Sequence, residues 1–149
     1  MNFEIQNMTS AHLSEVANME TECFSSPWSE NALAEELENE NSYFLVAVAE
    51  NVLGYIGVQE ICGEAYITNV AVFGKHRKSG IGRALLDEAC KGAKGRGCEF
   101  ITLEVRESNL PAIRLYESEG FEKVGLRKNF YSSPTENGLI YTKYFEVSE

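Results

Sequence analysis

The chain has 149 residues, 44% of them hydrophobic, which predicts a single globular domain over residues 1–149. Its 23 acidic residues outnumber its 13 lysines and arginines, so the formal net charge is −10. This charge excludes nucleic acid as the main partner, because phosphate contacts need a basic surface, but it permits a basic protein or peptide.

Metal, membrane and secretion signals are missing from the sequence pattern. The four cysteines and two histidines show no metal-ligand spacing, and no two cysteines form a Cys-x-x-Cys pair, so no metal is expected. No apolar run is long enough for a membrane span, and the first residues do not resemble a signal peptide. We therefore expect a cytoplasmic protein with reduced, mostly buried thiols and no membrane association.

Hydrophobic periodicity predicts a strand, two helices and then three strands in the first half of the chain. The first strand covers residues 3–5. Thr9 or Ser10 caps the first helix, Pro27 follows its end, and Ser29 caps the second helix. The three strands that follow cover residues 43–49, 52–61 and 65–72.

The second half alternates helices and strands. A helix is predicted by one apolar stripe, formed by Leu85, Leu86, Ala89, Cys90 and Ala93. A strand over residues 100–105 follows, then a helix capped by Asn109 and closed by Gly120. The last two strands cover residues 121–125 and 139–147, with a loop over residues 132–138 between them. This order predicts an α/β protein with a mixed sheet and helices on its faces.

A basic, glycine-containing loop precedes the third helix. Gly80 and Gly82 let a ligand approach the backbone, and amides at a helix N-terminus attract anions. Arg77, Lys78 and Arg83 add three positive charges to an otherwise acidic chain. The pattern predicts a pyrophosphate site. It is neither a Walker loop nor a complete dinucleotide fingerprint, since the Gly-Lys-Ser/Thr end and the third glycine are missing.

The hexapeptide Arg77-Lys78-Ser79-Gly80-Ile81-Gly82 resembles the Arg/Gln-x-x-Gly-x-Gly/Ala signature of GNAT acetyltransferases. The resemblance implies a GNAT-type fold, with about seven mostly antiparallel strands, a parallel central pair and helices on both faces. It also implies acetyl-coenzyme A (acetyl-CoA) as cosubstrate, with a backbone N–H of the preceding strand polarising the thioester. The implied acetyl-CoA-binding residues are Val70, Ala71, Val72, Arg77, Lys78, Ser79, Gly80, Ile81, Gly82, Arg83 and Asn109.

A narrower resemblance covers nearly the whole chain and is most specific over residues 104–121. This segment is similar to the bacterial ribosomal-protein-alanine N-acetyltransferases, the RimI-like branch. The resemblance implies direct acetyl transfer in a ternary complex to the N-terminal α-amino group of a protein. The implied acceptor is the N-terminal alanine of a basic small-subunit ribosomal protein. The chain departs from the branch at Phe73-Gly74, at Ser132-Ser133-Pro134 and at Glu136-Asn137-Gly138.

Two residues fit the proton transfers that acetylation of an amine requires, namely a base for the amine and an acid for the leaving thiolate. Glu104 alternates away from the apolar residues of its strand, at the carboxyl end where α/β sheets bind ligands. Tyr116 lies on the apolar face of the following helix. The resemblance implies that Glu104 is the general base and Tyr116 the general acid. By themselves, the patterns also fit a solvated glutamate and a core tyrosine.

Three aromatic residues, Phe24, Trp28 and Tyr131, are candidates for a groove that binds the acceptor peptide, although each also fits a core position. Two alternative functions remain open at this point. One is a GNAT enzyme that acetylates a lysine side chain or a small-molecule amine. The other is a non-catalytic module that binds coenzyme A.

Overall fold

A computed structural model of the chain describes residues 2–24, 27–72 and 79–146. The first half contains strand β1 (Glu4–Asn7), a short 3-10 helix (Ser10–His12), helices α1 (Leu13–Cys23) and α2 (Glu30–Leu37), and strands β2 (Ser42–Val48), β3 (Val52–Ile61) and β4 (Glu64–Val72). The second half contains α3 (Ile81–Gly95), β5 (Phe100–Arg106), α4 (Leu110–Ser118), β6 (Glu122–Tyr131) and β7 (Glu136–Tyr144).

The seven strands form one sheet in the order β1-β2-β3-β4-β5-β7-β6. Neighbouring strands are antiparallel except β4 and β5, which are parallel. The predicted mixed sheet with a parallel central pair is therefore confirmed. The parallel pair arises because α3 carries the chain across the sheet between these two strands, as a β-α-β crossover does.

Helices cover both faces of the sheet, and each face has its own core. The α1/α2 core includes Val16, Met19 and Leu33, and the α3/α4 core includes the whole predicted stripe of α3. Because strand side chains alternate, β2 gives Val46 to the first core and Ala47 to the second. Burial of two separate apolar faces holds the helices against the sheet.

Helix capping follows the predicted residues. Thr9 accepts a hydrogen bond from the Ala11 amide and opens the 3-10 helix, which runs directly into α1. Ser29 and Asn109 accept backbone N–H groups of Ala32 and Ala112, at 3.1 and 3.3 Å. Each side chain therefore satisfies a helix-terminal donor that would otherwise lack a partner within its helix.

The last two strands differ from the prediction. β6 continues to Tyr131, well beyond the predicted end at residue 125, and β7 begins at Glu136, inside the predicted loop. Residues 127–129 are polar and gave no strand signal, but antiparallel pairing with β7 extends this edge strand. The predicted end of the last strand, Val147, lies outside the described residues.

The cysteines also depart in part from the prediction. None of the four forms a disulfide, and only Cys90 and Cys98 are buried, whereas mostly buried thiols were expected. Cys23 is half-buried and Cys62 is exposed, because Cys62 lies in the tight turn between β3 and β4, where its φ is +52°.

Candidate active site

A cleft of about 490 Å³ opens in the middle of the sheet, between β4 and β5. The two strands are paired over residues 64–66 and 100–102, and in the described chain their ladder goes no further. Beyond this point β4 stays with β3, and β5 stays with β7. The parting strands leave a gap at the carboxyl end of the parallel pair, which is where ligands bind in sheets of this kind.

A β-bulge lies beside the gap. Gly57 of β3 pairs with Asn69, while its neighbour Val58 pairs with Ile67, so Thr68 is an extra residue in β4. The extra residue shifts the alternation of side chains, and both Ile67 and Val70 pack towards the α3/α4 core. The bulge thus redirects β4 where it lines the cleft.

Tyr116 forms one wall of the cleft from the α3/α4 side of the sheet. Its side chain is only 5% exposed and belongs to the same core as the α3 stripe. The ring packs on Phe121, with 5.8 Å between the ring centroids. Burial, with a smaller effect from Tyr131, raises the pKa of Tyr116, so the hydroxyl keeps its proton at neutral pH.

Glu104 lines the same cleft from the opposite face. Its neighbours Leu103 and Val105 are buried in the α3/α4 core, so alternation directs Glu104 towards the α1/α2 side. One carboxylate oxygen lies 3.6 Å from Nε of Arg127. A phenol and a carboxylate on opposite faces of a split sheet can contact two reactants that enter from opposite faces.

Asn109, the cap of α4, also lines the cleft, as does Val70 of β4. Ala71 and Val72 continue the strand from Val70, with Ala71 packed in the α1/α2 core. These residues follow the end of the β4–β5 ladder, and a linear ligand can bind beside a strand by hydrogen bonds to its main-chain groups.

The start of α3 lies after β4 in the chain. Gly80 caps the helix with φ +83°, a left-handed conformation that glycine adopts without strain, and Ala84 N–H donates to its carbonyl at 3.0 Å. Ser79 is exposed and Ile81 is buried, and a Cβ added at Gly82 would lie 3.4 Å from Leu115 Cδ2 of α4. In an α-helix the first-turn amides have no partner within the helix, which makes a helix start suitable as an anion site.

Of the predicted cations, Arg83 is described and Arg77 and Lys78 are not. The Arg83 guanidinium lies 2.8 Å from the Glu119 carboxylate and 3.0 Å from the Ser118 hydroxyl at the end of α4. Half of its side chain is exposed, so it remains accessible to an anion from solvent. Arg77 and Lys78 lie outside the described residues, as does the Phe73-Gly74 departure.

The three predicted aromatic residues all reach the cleft. Phe24 is exposed at the end of α1, Trp28 is half-buried against the α1/α2 core, and Tyr131 ends β6. Burial, and secondly the charge of Glu104, raises the pKa of Tyr131 to about 12. The Tyr131 hydroxyl therefore stays protonated beside the carboxylate.

Arg106 contacts the segment after Tyr131, where the sequence departs from the RimI-like branch. Its guanidinium stacks over the Tyr131 ring at 4.6 Å, and it donates to the carbonyls of Ser132 and Pro134 at 3.0 and 2.9 Å. Glu136 accepts from Arg106 at 3.2 Å and from the Ser108 amide. These bonds fix the rim of the cleft to the end of β5, next to Glu104.

Sequence reasoning missed a buried polar network on the α1/α2 side of the cleft. Glu20 is 1% exposed, accepts the Trp28 amide at 2.9 Å, and also accepts the Tyr55 hydroxyl. Asn69 lies beside them at the bulge. A signal was present, because Glu20 stands at a core position of its helix, spaced four residues from Val16.

The described ranges contain neither a candidate metal site nor a candidate membrane-spanning helix. Residues 2–24, 27–72 and 79–146 hold no group of three or more His, Cys, Asp or Glu side chains that could bind a metal ion. Within those ranges, none of the helices is long and apolar enough to cross a membrane.

Comparison with known proteins supports the family resemblance. The model of the acetyltransferase (GNAT) family matches residues 13–121. A ribosomal protein bS18-alanine N-acetyltransferase of Escherichia coli K12 is 32% identical over 90% of this chain and 89% of its own length. A Haemophilus influenzae protein of the same name is 34% identical over 79% of this chain and 82% of its own length.

A solved structure agrees in fold. The crystal structure of the ribosomal-protein-S18-alanine N-acetyltransferase from Escherichia coli superposes with a TM-score of 0.90 and 28% identity, covering 99% of this chain and 97% of that one. The predicted resemblance is therefore confirmed. The chain belongs to the GNAT family of acetyltransferases and is an acetyl-CoA-dependent N-acetyltransferase.

Proposed function

We propose that this enzyme acetylates the N-terminal α-amino group of a protein, and that its acceptor is the N-terminal alanine of ribosomal protein bS18. The observation that carries the proposal is the placement of Glu104 and Tyr116 on opposite sides of one cleft where the sheet parts. The names of the relatives in Escherichia coli and Haemophilus influenzae support the choice of acceptor.

The proposed mechanism is direct transfer in a ternary complex. Glu104 accepts a proton from the acceptor ammonium, directly or through water, and passes it to solvent, so that the free amine attacks the thioester carbonyl. Glu104 then takes the second proton that the nitrogen loses as the amide forms. A backbone N–H of β4 near Val70, Ala71 and Val72 stabilises the oxyanion. Tyr116 then donates its proton to the departing sulfur. Its hydroxyl is suited to this step because burial keeps it protonated.

The proposed acetyl-CoA site extends from the cleft to α3. The pantetheine arm lies along β4 and reaches Asn109, and the pyrophosphate lies at the start of α3 with Ser79, Gly80, Ile81, Gly82 and Arg83, joined by Arg77 and Lys78. The fit rests on two features, the gap beside β4 and the first-turn amides of α3. Acetyl-CoA supplies the activated acetyl group.

Proton energetics favour an α-amine over a lysine. Deprotonating an α-amino group with a pKa near 7.8 costs about 1 kcal/mol at pH 7, whereas a lysine near 10.4 costs about 4.6 kcal/mol. A single carboxylate that is partly open to solvent suits the smaller cost. The net charge of −10 supports a basic protein as partner, and the aromatic rings of Phe24, Trp28 and Tyr131 would hold its first residues.

The proposal includes a cytoplasmic site of action, where ribosomal proteins are made. The four cysteines form no disulfide, and Cys62 is exposed, which supports this site because exposed thiols persist in a reducing compartment.

The test is an acceptor panel with the purified protein and acetyl-CoA. One peptide carries the bS18 N-terminal sequence beginning with alanine, a second has the same sequence with a blocked N-terminus and internal lysines, and a third acceptor is a small polyamine. Thiol release and the mass of the product are measured. Acetylation of the first alone is expected. Preferential acetylation of the second or third would replace the proposed acceptor with a lysine or a small amine.

A further inference from the structure

A buried polar network lies beside the cleft. Tyr55 is 0% exposed and its hydroxyl donates a hydrogen bond to Glu20, which also accepts the Trp28 amide. Asn69 lies next to Tyr55 and lowers its pKa, against the larger raising effect of burial. The side chain of Asn69 is on the same face of the sheet as Ala71 of the α1/α2 core, two residues further along β4.

The side-chain oxygen of Asn69 is unusual because it is buried and lacks a hydrogen-bond donor in the described part of the chain. The residue as a whole is 9% exposed. Buried side-chain oxygens nearly always have a partner, so a buried acceptor that lacks one at the wall of a cleft indicates a missing donor.

The position of Asn69 indicates from which face of the sheet a hydrogen-bond donor would reach its Oδ1. Asn69 lies at the β-bulge and lines the same cleft as Glu104 and Tyr116. Asn69 is on the same face as Ala71 and Tyr55 of the α1/α2 core, which is the face of Glu104, while Tyr116 belongs to the other core. A donor that reaches Oδ1 is thus on the side of the base.

We propose that Oδ1 of Asn69 accepts one N–H of the acceptor's α-amino group and orients that amine for attack. The inference rests on the proposed function. A neutral amine has two N–H bonds and one lone pair. With one N–H on Asn69 and the other directed to Glu104, the lone pair points at the acetyl carbon. Glu104 passes the first proton, taken from the ammonium, to solvent. After attack it takes the second proton, and the N–H that remains in the amide product is the one held by Asn69.

Asn69 is in this sense a positioning residue, and it lies next to the hydrogen-bonded pair of Tyr55 and Glu20. The bulge supplies the geometry, since the extra residue Thr68 turns the following side chain towards the cleft. The arrangement favours a primary amine over a secondary one, because a secondary amine has a single N–H to share between Asn69 and Glu104.

The test uses two variants and two acceptors. Asn69→Leu keeps the size of the side chain and removes the oxygen, Asn69→Ala removes the whole amide, and Asn51→Ala in an exposed turn is the control. Each is assayed with an alanine peptide and with the same peptide beginning with N-methylalanine. We expect the KM for the alanine peptide to rise about tenfold in both Asn69 variants, while the KM for acetyl-CoA changes less than about twofold.

The acceptor pair separates positioning from a structural role. In wild type, N-methylation should lower kcat/KM about tenfold, and in the Asn69 variants this penalty should nearly disappear, because the lost N–H has no partner left. An equal penalty in wild type and variants, or an altered KM for acetyl-CoA alone, would overturn the inference and leave the proposed function intact. A wild type that acetylates no α-amine overturns both.

A measurement on the wild-type protein tests the inference even if the Asn69 variants fail to fold. With the Asn69 side-chain amide assigned by NMR, its resonances should shift when the alanine peptide is added to the coenzyme A-bound protein. They should not shift when coenzyme A is added alone. Resonances that respond to coenzyme A and ignore the peptide would contradict the inference.

Discussion

The two ends of the β4–β5 pair differ in ways that separate stability from function. At the closed end, residues 64–66 and 100–102 are joined by a parallel ladder, and Phe100 contacts both Tyr66 and Tyr144. At the open end the strands part, a bulge redirects β4, and a cleft of about 490 Å³ contains Glu104 and Tyr116. The same two strands therefore hold the sheet together at one end and expose main-chain and polar groups at the other.

This difference shows that the candidate site depends on the early end of the hydrogen-bond ladder between β4 and β5. A continuous ladder would satisfy the backbone of both strands and leave no room for a ligand. Changes at the open end should alter kinetics with little effect on folding, and changes at the closed end should do the reverse.

The largest effect is expected for Tyr116→Phe at the open end. Loss of the proposed general acid should lower kcat about 100- to 1000-fold, while the ring still packs on Phe121 and keeps the stability close to wild type. Steady-state kinetics and thermal unfolding measure the two quantities. Tyr141→Phe is a matched control, since Tyr141 is equally buried and bonds Glu117 outside the cleft. A variant with kcat near wild type would rule out Tyr116 as the acid.

Glu104→Gln should lower kcat/KM about 100-fold, because an amide cannot accept the amine proton. The change also removes the ion pair with Arg127, whose side chain is 56% exposed. Arg127→Gln removes the same ion pair and leaves the carboxylate, so it should change kcat/KM by less than about threefold. Equal losses in the two variants would assign the effect to the ion pair and contradict the role of a base.

Gly57→Ala tests the bulge that divides the two ends. A Cβ at residue 57 would lie 2.6 Å from Phe44 Cε1 and 3.0 Å from Thr68 Oγ1, so either the ring or the bulge must move. We expect a loss of about 1–3 kcal/mol in the free energy of unfolding, with a raised KM for the peptide. Denaturant unfolding and kinetics give both values. Gly95→Ala, where a Cβ meets no atom within 4 Å, is the control.

Thr102→Val at the closed end should change stability alone. Thr102 Oγ1 lies 2.7 Å from the hydroxyl of buried Thr142, and its loss leaves that hydroxyl unpaired. The expected cost is about 1–2 kcal/mol in the free energy of unfolding, with kcat and KM unchanged. The double variant Thr102→Val/Thr142→Val should recover most of it, since both polar groups are then gone. A single variant with altered KM would break the separation of the two ends.

Local patterns were sufficient for most elements of the fold. The bounds of β3 were predicted to the residue, and the caps Ser29 and Asn109 act as predicted. Such features depend on neighbours within a few residues, which the sequence displays directly. The extension of β6 to Tyr131 was not predictable in this way, because its polar residues become a strand by pairing with β7.

The candidate site also contains residues that local patterns predicted and residues that only the tertiary structure brought together. Glu104 and Tyr116 were singled out by alternation, helical spacing and family resemblance, and their catalytic roles stay predictions. Glu20, Tyr55 and Asn69 were not found as a group, although each is polar at an apolar position. Three residues separated by 35 and 14 positions in the chain become a network only when α1 packs on β3 and β4.

The sequence by itself determined the helices, most strands and the glycine loop of this N-acetyltransferase, since propensity, periodicity and capping are local properties. The tertiary structure decided where the sheet parts and which face each side chain takes after Thr68. It also decided that the oxygen of Asn69 lacks a partner among the described residues. These features depend on pairing between strands distant in the chain, and one extra residue in β4 changes the direction of the side chains that follow.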